Sequence, residues 1–143
     1  MAKRILVPIE RSDAARSVLP LVADLARGSG ATVRLLHVAP LPTARIADNG
    51  RVVAYASQEM ERIEFVRRDC LKIAEAELEG VPVESVVRFG DPTREILVEA
   101  EAFGADLIAV TAGRHRWLPS VLRGIAGKLL RRSDVPVLLV ATA

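Results

Sequence analysis

The residues best equipped for chemistry sit in two places. Gly113-Arg114-His115-Arg116 follows the apolar run Leu107-Ile108-Ala109-Val110, and Glu10 follows the apolar run Ile5-Leu6-Val7-Pro8-Ile9. Guanidinium groups make paired hydrogen bonds to phosphate or carboxylate oxygens, so Arg114 and Arg116 could clamp an anion. The same residues also read as a solvated basic turn. Glu10 could accept hydrogen bonds from a sugar or a base, or be satisfied by turn amides or by Arg11 or Arg114. Neither group implies catalysis, because a general base needs a reactive partner beside it and the sequence shows no such pair.

Other candidates are weaker. His37 lies within an apolar run and reads as a packed, hydrogen-bonded residue. His115, far along the chain, is the second of only 2 histidines, so no metal-ligand spacing exists. Cys70 is the single cysteine, which excludes an intrachain disulfide and a structural zinc site. It falls on the expected inward face of a helix, as a small hydrophobe. Arg131 and Arg132 end a helix, where cations complement the dipole.

The elements that must position these groups follow from apolar periodicity. Ile5–Ile9, Thr32–Val38, Leu107–Val110 and Val135–Val140 are strands, and their near-continuous apolar character points to a parallel sheet covered on both faces. Val81–Arg88 alternates and carries Pro82, as an edge strand does. A first helix is expected over about Asp13–Arg27, with Ser12 as N-cap and Val18, Leu19, Val22, Leu25 and Ala26 inward. Pro20 within it points to a later start. A second is expected over about Ser57–Glu79, burying Met60, Ile63, Val66, Cys70, Ala74 and Leu78. Asp91-Pro92 starts a third, which buries Ile96, Leu97, Ala100 and Phe103 and stops at Gly104. A fourth buries Leu118, Val121, Leu122, Ile125 and Leu129. Leu41–Tyr55, with Pro42, Asn49 and Gly50, reads as a long loop.

Strands alternating with helices give a single-domain α/β sandwich with right-handed crossovers. The chain has 143 residues, enough for one real core, and only 5 aromatic residues (3 Phe, 1 Trp, 1 Tyr), so that core is aliphatic. The net charge of +2 is too mild to mark a nucleic-acid binder. The segment from Arg114 to Ser133 is nonetheless basic and free of acids. No run reaches the roughly 20 apolar residues of a membrane span. A cytoplasmic protein is the expectation.

Several stretches, in order, resemble the universal stress protein family. Lys3 to Ser12 resembles its opening strand and turn. Leu35-Leu36-His37-Val38 resembles its second strand, and Gly90-Asp91-Pro92 with Ile96 its third-strand turn. Asp106 to Gly113 and then Leu129 to Val140 resemble its ending. The resemblance implies a five-stranded parallel sheet in order 3-2-1-4-5 with helices on both faces, of the adenine-nucleotide alpha-hydrolase type. It also implies a homodimer through the last strand, Val135, Val137, Leu138, Leu139 and Val140.

One branch of that family binds ATP with an acid after the first strand and a glycine-rich turn after the fourth. Glycine lets backbone amides approach phosphate, and a helix N-terminus favours anions. Here Glu10 and Arg11 replace Asp and Gly, Arg116 stands where a second Gly belongs, and Arg123-Gly124 stands for Gly-Ser. The resemblance therefore implies a degenerate nucleotide site on Pro8, Glu10, Val38, Gly113, Arg114, Arg116, Arg123, Gly124 and Ile125, nearer the branch that does not bind ATP. The expected function is a non-enzymatic stress-response homodimer that binds an unidentified protein partner. No cofactor, metal, membrane or nucleic acid is expected. The alternative is an ATP- or AMP-binding protein with an arginine-rich phosphate turn. Related nucleotidyl transferases, pyrophosphatases and response-regulator receivers need His, Gly or paired acidic residues that Glu10-Arg11-Ser12-Asp13 does not supply.

Overall fold

Two neighbouring strands whose residues alternate between two cores decide the architecture. The computed structural model describes residues 3–9, 18–43, 45–113 and 124–142. On β1 (Arg4–Pro8) and the chain just after it, Ile5, Val7 and Ile9 face one aliphatic core and Leu6 faces another. Helix α1 (Leu19–Ser29) packs on the first side, with Leu19, Val22, Ala23 and Ala26 buried. Strand β2 (Thr32–Ala39) repeats the alternation, Val33 and Leu35 to the first core and Leu36 to the second. Pro20 falls in the first turn of α1, where its missing N–H costs no helical hydrogen bond. Ser12 and Asp13 lie outside the described residues. Leu25, expected inward, is exposed, because it lies off the stripe made by Leu19, Val22 and Ala26.

The expected loop from Leu41 to Tyr55 instead contains an antiparallel hairpin of β3 (Arg45–Ile46) and β4 (Val52–Ala54). Asn49-Gly50 supplies its turn: the Asn49 carboxamide oxygen accepts from the Arg51 amide at 3.0 Å, and Gly50 adopts φ 81°.

Helix α2 (Ala56–Ala76) covers β2 and β5 (Val83–Phe89). Its inward face differs from the expected one at two positions. Cys70 and Val66 are exposed, whereas Leu71 is buried and Ala74 packs against the same core. The helix carries apolar residues on two faces, and packing took the one that includes Leu71. Phe65, 72% exposed, and Ile73 stay on the other. Leu78 is buried just beyond the helix end.

Helix α3 (Pro92–Phe103) forms as expected. The Asp91 carboxylate accepts from the Arg94 amide at 3.0 Å, and Gly104 closes the helix at φ 69°. The left-handed φ is what favours glycine here; a Cβ would also come within 3.1 Å of the Arg4 guanidinium, which would have to give by a few tenths of an ångström. Then follow β6 (Leu107–Gly113), α4 (Ile125–Arg132) and β7 (Val137–Thr142). The sheet order is β5-β2-β1-β6-β7, all parallel, which is 3-2-1-4-5 counting the sheet strands along the chain. α1 and α2 cover one face and α3 and α4 the other. Among the described residues no helix is long and apolar enough to cross a membrane.

Asp106 ties the start of β6 to the start of β1. Its carboxylate accepts from the Lys3 amide at 2.7 Å and the Arg4 amide at 2.9 Å. These bonds, Lys3 first, hold its pKa below the usual 3.8. A depressed folded-state pKa stabilises the protein above the unfolded value and ceases to do so as pH falls through the folded value. Urea unfolding across an acid pH series should therefore show an acid limb that Asp106→Asn flattens, with Asp106→Asn the weaker protein at neutral pH.

Candidate functional site

The strand order reverses between β1 and β6, and in open α/β sheets ligands bind beyond the carboxyl ends of the strands at such a point. β1 and β6 pair only through Ile5–Leu107 and Leu6–Ile108. Beyond that contact β6 runs on beside β7 as far as Gly113, while β1 ends at Pro8, and the crevice in which such sheets bind ligands lies beyond these two strand ends. Pro8 ends β1 and pairs with Leu36, two residues before Val38. Val38 and Ile125 pack against the same core on the α3–α4 side. Gly124 is the N-cap of α4 and contributes no side-chain cap, as glycine cannot.

The structure thus brings Pro8, Val38 and Gly113 to the carboxyl edge of the sheet. Ile125 joins Val38 in the core beneath it. Glu10, Arg114, Arg116 and Arg123 lie outside the described residues. No group of histidine, cysteine, aspartate and glutamate suited to a metal occurs among the described residues.

β2 is held by two devices, His37 toward its carboxyl end and Arg34 in its amino half. His37 is only 7% exposed, and its Nδ1 lies 2.8 Å from the Ile9 carbonyl oxygen. It is the packed, hydrogen-bonded residue expected from its place in an apolar run. The other device was not read from the sequence. Glu99 on α3, its side chain 5% exposed, accepts from Arg34 of β2 and Arg88 of β5, each at 2.7 Å. Arg34 also binds Glu84 at 2.6 Å and lies 4.2 Å above the Phe103 ring, and Arg88 binds Glu95 at 2.7 Å. Burial works against the Arg34 charge, but its bonds to Glu84 and Glu99 outweigh burial and raise its pKa. The Arg88 pKa is raised chiefly by its bond to Glu95. The visible sequence signals are a lone arginine inside the β2 apolar run and glutamates at i, i+4 on α3.

Comparison with known proteins decides the family. The family model for the universal stress protein family matches residues 1–141. The chain belongs to this family. It is 29% identical over 147 aligned positions to universal stress protein YxiE of Bacillus subtilis (strain 168), covering 98% of this chain and 99% of that one. Its fold is similar to a universal stress protein solved in complex with cAMP, with TM-score 0.69 at 19% identity, covering 99% and 98% of the two chains. It is also similar to the universal stress protein from Archaeoglobus fulgidus in complex with dAMP, with TM-score 0.60 at 22% identity and 96% of each chain covered. At these identities the two structures establish the sheet and its switch point. The protein is a stress-response protein of the universal stress type with a nucleotide-binding-like fold.

Proposed function

We propose that the protein is a non-enzymatic, cytoplasmic universal stress protein that works as a homodimer paired through β7 and acts by binding a protein partner. Its switch-point site holds ATP weakly or not at all. The contrast between the two sheet edges carries this reading. The β5 edge is blunted by Pro82, Glu84 and Arg88. β7 spans Val137–Thr142 without a charge and pairs on one side only, with β6. An uncharged edge strand with unpaired backbone groups is a template for another chain. The weak-ATP part rests on sequence: arginines stand where close backbone approach to phosphate needs glycine.

Thermal unfolding with and without millimolar Mg-ATP tests the nucleotide part. A ligand at its Kd adds about 0.4 kcal/mol, and one at 100 times its Kd about 2.7 kcal/mol. The expected shift is at most about 1–2 °C, and one of about 5–10 °C would overturn weak binding.

A second reading keeps an adenosine monophosphate in the crevice, with arginine charge in place of glycine amides. It is favoured by the cAMP and dAMP held by the two similar structures. AMP in the same scan separates the two: a shift with AMP and none with ATP favours the second.

A further inference from the structure

We infer that His37 is the positioning residue of the nucleotide crevice, holding the point where the chain leaves β1. The inference rests on the AMP-binding reading and deepens it.

Ile9 is the last described residue before Glu10. Its amide donates to the Leu36 carbonyl at 2.7 Å, the last backbone tie from this end of β1 to β2 among the described residues. Its carbonyl, 2.8 Å from Nδ1 of His37, can only accept, so Nδ1 carries the hydrogen. Ile9 is therefore held to β2 at both polar groups, one by backbone and one by a side chain. Because the peptide unit is planar, fixing the Ile9 carbonyl fixes the plane of the bond by which the chain leaves the strand. The place is the switch point, where β1 parts from β6 and the sheet offers its ligand crevice.

The ring is itself held. It is buried, on a β2 strand paired on both sides, to β1 through Pro8–Leu36 and to β5 through His37–Val87. Its neighbours Leu36 and Val38 belong to the opposite core. The backbone that carries the ring is therefore fixed by pairing on both sides. A buried donor on a rigid strand sets the backbone it binds to the tolerance that ligand binding needs.

Two isosteric substitutions separate this role from packing. Asparagine places its amide donor near the position of Nδ1. Glutamine places its donor near the position of Nε2. AMP titration calorimetry is expected to give His37→Gln an affinity about tenfold weaker than that of His37→Asn, the effect of one hydrogen bond. The amide NMR spectrum of residues 9–17, recorded without nucleotide, should stay closer to the parent in His37→Asn than in His37→Gln. A His37→Gln protein with parental affinity and spectrum would overturn the inference. So would a His37→Asn protein impaired as much as His37→Gln in both. If the parent binds no AMP, the AMP-binding reading falls, and the spectra alone decide: a larger change in His37→Gln than in His37→Asn supports the positioning role, and any other pattern overturns it.

Discussion

Replacing Glu99 with alanine is expected to destabilise the protein by about 3 kcal/mol, the largest loss from any single surface-to-core polar contact described above. Removing one partner of a buried ion pair costs about 3–5 kcal/mol, because the remaining charge is stranded in a poor solvent. Two features place Glu99 at the lower end. The Arg34 and Arg88 side chains are 20% and 32% exposed, so water reaches them. Each also keeps a second carboxylate, Glu84 for Arg34 and Glu95 for Arg88. For a chain of this size the loss corresponds to a fall in Tm of about 6–12 °C. Glu99→Gln keeps the shape and one acceptor while turning donors toward one arginine, so its loss should be intermediate. A Tm within about 2 °C of the parent for Glu99→Ala would show that the arginines are satisfied without it. Glu99 thereby fastens α3 across β2 at Arg34, three residues before His37.

The fold was legible because its signals are local and repeated. Ile5 to Ile9, Leu107 to Val110 and the Val135 to Val140 run are apolar on both faces, and only a covered parallel sheet satisfies that pattern. Asp91, Pro92 and Gly104 marked the bounds of α3 because cap chemistry is set by single residues. The face of α2 was not legible. Phe65, Val66, Cys70 and Ile73 form an apolar stripe as convincing as the one containing Leu71 and Ala74, and only packing against β2 and β5 chooses between them. The Glu99 cluster was hidden for a related reason. Its five members come from β2, β5 and α3, and nothing in sequence spacing pairs residues 34, 88 and 99. Of the site itself, strand-end residues such as Pro8 and Val38 could be placed from register. The arginines that would decide its chemistry lie outside the described residues.

The other large effect concerns association. The Ile108 amide donates to the Pro136 carbonyl at 2.9 Å, and Ile108 stands opposite Val137. In a parallel pair, backbone groups of alternate residues point to the same neighbour. Pro136, Leu138 and Val140 thus turn their backbone groups to β6, and Val137, Leu139 and Ala141 turn theirs outward. Proline at Leu139 removes an outward donor and presents its ring to the incoming strand, leaving the donors to β6 in place. Across a two-fold axis the loss occurs twice, and each abandoned partner carbonyl adds a penalty of about 1–3 kcal/mol. Dimer affinity should fall by about 100-fold or more. Leu139 also packs against the α3–α4 core, so Leu139→Pro alone could lose the dimer by loosening the fold. Ala141→Pro acts on the next outward residue and provides the check. Sedimentation at micromolar concentration should show a dimeric parent and two monomeric variants, with the far-ultraviolet spectrum retained in Ala141→Pro. A parent that sediments as a monomer, or an Ala141→Pro variant that stays a dimer along with Leu139→Pro, would place the contact between copies elsewhere. β7 would then be an edge kept open for the chain of a different partner.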